Sequence, residues 1–159
     1  MKKPHHIAEP NLANKIADNK WEIWPKGLNI VWGDDPRYWN LEKDPHGNAT
    51  LIQVSWLDVS GSVEVPKGKY RVTFEVQLKP DAFGWTGSPV LVMAKVGRKG
   101  QYQYSETTLN NDASKISVDV EVRDTNEEKK IYFGLYEVWS GKWKGGLVIK
   151  KVNVGPPNP

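Results

Sequence analysis

Residues 69–79 read KYRVTFEVQLK, and this stretch decides the fold. Tyr70, Val72, Phe74, Val76 and Leu78 fall on one side of an extended chain, with Arg71, Thr73, Glu75 and Gln77 on the other. Strict period-two alternation means a strand with one face on a core and one in water. Lys115–Val122 repeats it: Ile116, Val118, Val120 and Val122 oppose Ser117, Asp119 and Glu121. An antiparallel sheet, solvated on one side, is the arrangement such strands fit.

Working outward, Val90–Val96 and Ile131–Trp139 are apolar on both faces and are expected as central strands. Leu147–Val154 closes the domain before Gly155-Pro156-Pro157. Ile52, Val54 and Trp56 alternate, but Leu57 and Val59 shift phase, which predicts a bulge near a core Trp56. Asp44-Pro45-His46-Gly47, Pro66-Lys67-Gly68, Gly97-Arg98-Lys99-Gly100, Asn110-Asn111-Asp112 and Asp124-Thr125-Asn126 supply the turns. Seven to nine short strands at this spacing indicate an all-β, antiparallel sandwich of jelly-roll type. Residues 1–20 are polar and read as a loosely held N-terminal arm, with Leu12 and Ile16 spaced for one or two helical turns between Asn11 and Asp18. Trp21 and Trp24 are placed to anchor that arm, and residues 156–159 form a short tail.

The chain has 159 residues, enough for one domain and one apolar core. No apolar run is long enough to span a bilayer, so no membrane partner is expected. The charged start MKKPHHIAEP lacks the apolar stretch of a signal peptide, and the expected setting is the cytoplasm. Asn48-Ala49-Thr50 fits the glycosylation pattern but stays bare without export. Cysteine is absent, which removes disulfides, thiol nucleophiles and thiolate metal sites.

Catalysis lacks its parts. His5, His6 and His46 accompany no serine–carboxylate pattern, and His5-His6 without cysteine or a third histidine makes a weak metal site. Neither metal nor cofactor is expected. A glycosidase needs two carboxylates facing each other across a cleft. Asp34 and Asp35 are adjacent and suit a turn, while Glu137 stands alone in an aromatic strand. No glycine loop precedes a helix to cradle phosphate. The reading is of a protein without enzymatic activity.

Eight tryptophans are the anomaly. Trp85, in a glycine-rich loop, is expected half-exposed; Trp139 fits core or site equally. Trp32, Trp39 and Trp143 lie at breaks in the strand pattern. In LNIVWGDDPRYW, Leu28–Trp39, a strand is broken by Gly33-Asp34-Asp35-Pro36, with Gly33 free to take a positive φ and an indole on either side. Residue by residue, burial and exposure are equally open for these three.

This segment resembles the opening motif of the phloem protein 2 family, the plant phloem lectins related to the tobacco lectin. EVWSGKWKGGLV, Glu137–Val148, resembles the closing motif, and WLDVSG (Trp56–Gly61) and Tyr70–Lys79 resemble middle strands. The resemblance covers about residues 21–155 and implies a jelly-roll sandwich. It also implies a carbohydrate-binding lectin domain for N-acetylglucosamine oligomers: chitooligosaccharides and the chitobiose core of N-glycans. The family's sugar-contacting tryptophans fall on Trp32 and Trp39 and its glutamate on Glu137. Trp143 and Lys144 match in position and join the candidate site by neighbourhood. A second acidic residue of the family is replaced here by Lys130, and the basic run of the tobacco lectin has no counterpart. Phloem transport, plant defence and a homodimer, noncovalent without cysteine, are further implications.

Such residues suit a hexose. An indole covers the apolar face of axial C–H groups, removing ~50 Å² on each partner, about 1–2.5 kcal/mol per stacked ring. A carboxylate accepts charge-assisted hydrogen bonds from hydroxyl or acetamido groups. The alternative, an RNA-binding phloem transport protein, leans on a pI near 9.0 and on Lys142, Lys144, Lys150 and Lys151 beside exposed tryptophans. Net charge is only +3 and the signs are interspersed; a lysine-rich strand edge accounts for that cluster as well.

Overall fold

The computed structural model describes residues 5–112 and 114–157. Among the described residues twelve strands make two antiparallel sheets. In chain order they are β1 Ala13–Ala17, β2 Lys20–Ile23, β3 Asn29–Ile30, β4 Trp39–Leu41, β5 Ala49–Leu51, β6 Leu57–Glu64, β7 Gly68–Phe83, β8 Val90–Val96, β9 Gln103–Thr107, β10 Lys115–Val122, β11 Lys130–Glu137 and β12 Gly145–Gly155. One sheet has the order β3-β6-β11-β8-β9. In the other, β12 pairs along one edge with β7, which pairs in turn with β10. Along its opposite edge β12 meets β5 near one end and β2 near the other, with β4 and β1 outside them. The result is an all-β sandwich of jelly-roll type.

The alternating stretches form the core as their pattern dictates. Tyr70, Val72, Phe74, Val76 and Leu78 point inward from β7, and Ile116, Val118, Val120 and Val122 from β10. Val90, Val92, Ala94, Ile131, Phe133 and Leu135 meet them from the five-stranded sheet. Phe74 and Phe133 touch edge to face across the gap, at 6.1 Å between centroids. β11 and β8 are interior strands, as their two-sided apolar character requires.

Four local expectations give way. The Asn11–Asp18 stretch is not helical: Pro10–Leu12 make a single 3-10 turn, and β1 then folds back on β2 as a hairpin, so these residues belong to a sheet edge and not to a loose arm. Leu12 is buried there, and residues 1–4 of the expected arm lie outside the described residues. The phase slip after Val54 is no bulge. Val54 bridges to Lys144 beside one sheet, Leu57 opens β6 in the other, and the crossing between them turns Trp56 outward, 49% exposed. Trp85 is buried, its indole donating to the Gly145 carbonyl at 2.9 Å. Finally, β11 stops at Glu137, because the Glu137 side chain itself takes up the backbone N–H groups of Trp139 and Ser140.

Candidate functional site

At one end of the sandwich two loops meet. The first, residues 31–38, follows β3; the second, residues 138–144, joins β11 to β12. The first is a succession of tight turns: Gly33 N–H donates to the Ile30 carbonyl, Asp35 to Trp32, and Tyr38 and Trp39 to Asp35. Trp32, not Gly33, takes the left-handed conformation, at φ +64°. A bulky side chain there is strained by on the order of 1–2 kcal/mol. The neighbourhood holds it: Trp32 N–H donates to His5 Nδ1 at 2.9 Å, and the His5 ring meets the indole edge-on at 5.3 Å. Gly33 is needed for space, since a Cβ would collide with Ile30 and His6.

His6 is buried beneath the loop, with Nδ1 3.2 Å from Asp34 Oδ1 and Nε2 2.9 Å from the Lys26 carbonyl. Asp35 grips Arg37 through both carboxylate oxygens, which holds the Asp35 carboxyl below its usual range. Asp35 thus works within the turn, as expected, while Asp34 ties the turn to His6.

The two loops assemble a contiguous aromatic surface. Trp32 and Tyr38 meet at 5.5 Å in a T-shaped contact. Tyr38 and Trp143 lie nearly parallel, 25° apart at 6.5 Å between centroids. The Arg37 guanidinium covers Tyr38 at 5.1 Å. Trp143 is 53% exposed and Trp32 37%, with Tyr38 half-buried between them.

Three of the five residues singled out in the sequence are placed differently from the expectation that they touch a ligand. Trp39 begins β4, so it points opposite to Tyr38, and it is sealed in the core at 2% exposure. Its Nε1 is buried without a hydrogen-bond partner among the described residues. Tyr38 takes the outward place assigned to Trp39. Glu137 and Lys144 are buried against each other, with Lys144 Nζ 3.1 Å from Glu137 Oε1. Lys144 also donates to the carbonyls of Ser55, at 3.0 Å, and Lys142, at 2.9 Å, which uses all three of its protons. Glu137 Oε2 accepts from the backbone of Trp139 and Ser140, and Oε1 from the Ser140 hydroxyl. Burial pushes the Glu137 carboxyl upward, but the Ser140 and Lys144 bonds outweigh it and the net shift is downward. Neither group has bonding capacity left for a ligand. Together they clamp the base of the loop that carries Trp143.

Three of the four clustered lysines are engaged within the fold, and Lys150 is exposed. Lys144 is buried, Lys151 pairs with Glu22 at 2.9 Å, and Lys142 reaches the Thr86 carbonyl. Lys130 sits at the far end of β11 from Glu137, roughly 23 Å along a seven-residue run of strand. Among the described residues no helix is long and apolar enough to cross a membrane.

A family model described as Phloem protein 2 matches residues 19–156. Protein PHLOEM PROTEIN 2-LIKE A9 of Arabidopsis thaliana is 39% identical over 97% of both chains. A protein named Lectin from Luffa acutangula is 35% identical over 58% of this chain and 48% of its own. Among solved structures, a Podospora anserina GH26-CBM35 β-(1,4)-mannanase superposes on 90% of this chain and 29% of its own, with a TM-score of 0.50 and 10% identity, a likeness of fold.

Proposed function

The chain belongs to the phloem protein 2 family, and from that premise we propose that it is a non-catalytic lectin for N-acetylglucosamine oligomers, chitooligosaccharides and the chitobiose core among them. The observation that carries the proposal is the open surface of Trp32, Tyr38 and Trp143 at the meeting of two loops. The exposed indoles of Trp32 and Trp143 on either side of Tyr38 offer apolar surface that suits the C–H faces of successive hexoses. Each stack contributes about 1–2.5 kcal/mol, so two give a few kcal/mol before association costs. A trisaccharide should therefore bind far better than a monosaccharide, with affinity in the millimolar to micromolar range. Relatives named as lectins in Luffa acutangula and Coccinia grandis support the ligand class. Phloem sap as the setting, defence as the role and a noncovalent homodimer belong to the same reading.

In this account Trp32, Tyr38 and Trp143 contact the sugar; Glu137 and Lys144 set the angle of the loop, and Trp39 supports β4 from below. The test is a titration of the protein with chitotriose, followed through the indole N–H resonances of the tryptophans. Trp32 and Trp143 should shift on one saturable curve, and Trp143→Ala should remove the response of Trp32 without loss of fold. A Trp32 resonance that ignores chitotriose would overturn the reading.

A further inference from the structure

The loop clamped by Glu137 and Lys144 carries two exposed indoles. Trp143 joins the surface just described. Trp139, 61% exposed, instead borders a cavity of about 350 Å³ lined by Leu91, Glu106, Ser140 and the clamped Glu137 among others. That is within the ~300–1,000 Å³ range of small-ligand sites. Strand register extends this cavity into a transverse row. Asp58 on β6 pairs with Tyr136 on β11, Tyr136 with Leu91 on β8, and Leu91 with Glu106 on β9. Asp58, Tyr136 and Leu91 alternate with buried neighbours and so face outward, and Glu106, exposed between half-buried Ser105 and Thr107, shares their face of the five-stranded sheet. Three strand spacings make the row about 14 Å long. Trp56 stands at its other end, with Nε1 3.4 Å from Asp58 Oδ2.

The row is built for a flat, polar occupant. Position 134 is glycine, and a Cβ there would collide with Tyr136, so the Tyr136 ring lies down on the sheet. Burial, with Tyr102 and Asp58 nearby, pushes its hydroxyl well above the usual range and keeps it a hydrogen-bond donor. Asp58 and Glu106 form no ion pair with lysine or arginine among the described residues. Burial raises the Asp58 carboxyl although the Trp56 indole and nearby His5 oppose this; as carboxylates, Asp58 and the exposed Glu106 accept from neutral hydroxyls and repel phosphates and uronates. Lys95, on the same face, lies two rows away over the Tyr102 ring at 4.7 Å.

We infer that the outer face of the five-stranded sheet is a second saccharide site, in which Trp56, Tyr136 and Trp139 support a neutral oligosaccharide laid across the strands while Asp58 and Glu106 bind its hydroxyls. It rests on the lectin reading for its ligand class; its contact residues are different from those of the first surface, although both share the loop clamped by Glu137. One chain would then hold two glycans, and binding to a multivalent surface would gain from avidity.

The experiment is the same titration read at other resonances, with chitotriose and cellotriose as neutral probes and trigalacturonate and a short single-stranded RNA as anionic ones. At least one neutral trisaccharide should shift the Trp56 and Trp139 indoles on a curve of their own. Trp139→Ala should weaken that curve at least ten-fold and leave the Trp32 curve intact. Trp143→Ala should do the reverse. Both side chains are more than half exposed, so neither variant threatens folding. Shifts at Trp32 and Trp143 alone would overturn this inference and leave the lectin reading standing. Shifts at Trp56 and Trp139 alone would support the sheet-face site and remove Trp32 and Trp143 from the sugar contact, and a chain indifferent to every neutral probe loses both. Shifts driven by an anionic probe, or by protein concentration as a second copy covers the face, would also overturn it.

Discussion

Lys144 and Glu137 form a buried ion pair, 3.1 Å from Nζ to Oε1, at the base of the loop that displays Trp139 and Trp143. Neither can turn toward a ligand without abandoning backbone groups that have no other partner among the described residues. A change at either position should therefore act on binding through the loop.

Glu137→Gln leaves a buried ammonium unpaired, and the expected loss of stability is about 3–5 kcal/mol. Chemical denaturation measures it. If Glu137 instead touched the sugar from an open position, stability would stay nearly constant and only affinity would fall.

The same pair gives a pH dependence. The Glu137 carboxyl is lowered in the folded state, so its contribution to stability is complete above the unfolded value of ~4.3. That contribution is lost as pH falls through the folded value. The midpoint of denaturation should drop below about pH 4, and it should drop less in Glu137→Gln than in the parent. Equal slopes in the two proteins would remove Glu137 from the acid response.

Trp39→Ala empties a core position and should cost about 3–5 kcal/mol. Trp39→Phe should cost much less, since it keeps most of the ring and removes an indole N–H that has no partner. Thermal melts of the two variants compare them directly. Equal, negligible losses would mean that the ring is not packed as described.

At position 32 the ordinary ranking of residues should invert. Trp32 occupies the left-handed region, so Trp32→Gly should be more stable than Trp32→Ala by about 1 kcal/mol, although both remove the same indole. An alanine variant as stable as the glycine one would show that the turn relaxes away from φ +64°.

Much of this was legible in the residues. The alternation of Tyr70–Leu78 and Ile116–Val122 marks strands whose apolar faces all proved buried. Two-sided apolar runs identify the interior strands β8 and β11. What periodicity cannot see is where a chain leaves one sheet for the other: the phase slip at Ser55–Trp56 has the same pattern as a bulge, yet it turns Trp56 outward. Strand parity likewise lets only one of Tyr38 and Trp39 face out, but which one depends on where β4 begins. The paired burial of Glu137 and Lys144 joins positions seven apart through a loop of no regular period, so nothing local announces it. The signal available for Tyr38 was its adjacency to Trp39 in the same motif.

The central claim, that Trp32, Tyr38 and Trp143 form one sugar-binding surface, is tested most directly by the chitotriose dissociation constant read at the Trp32 indole resonance in Tyr38→Ala and Trp39→Phe. Affinity should fall at least ten-fold in the first and stay unchanged in the second. Full affinity in folded Tyr38→Ala, with affinity lost in Trp39→Phe, would contradict the claim.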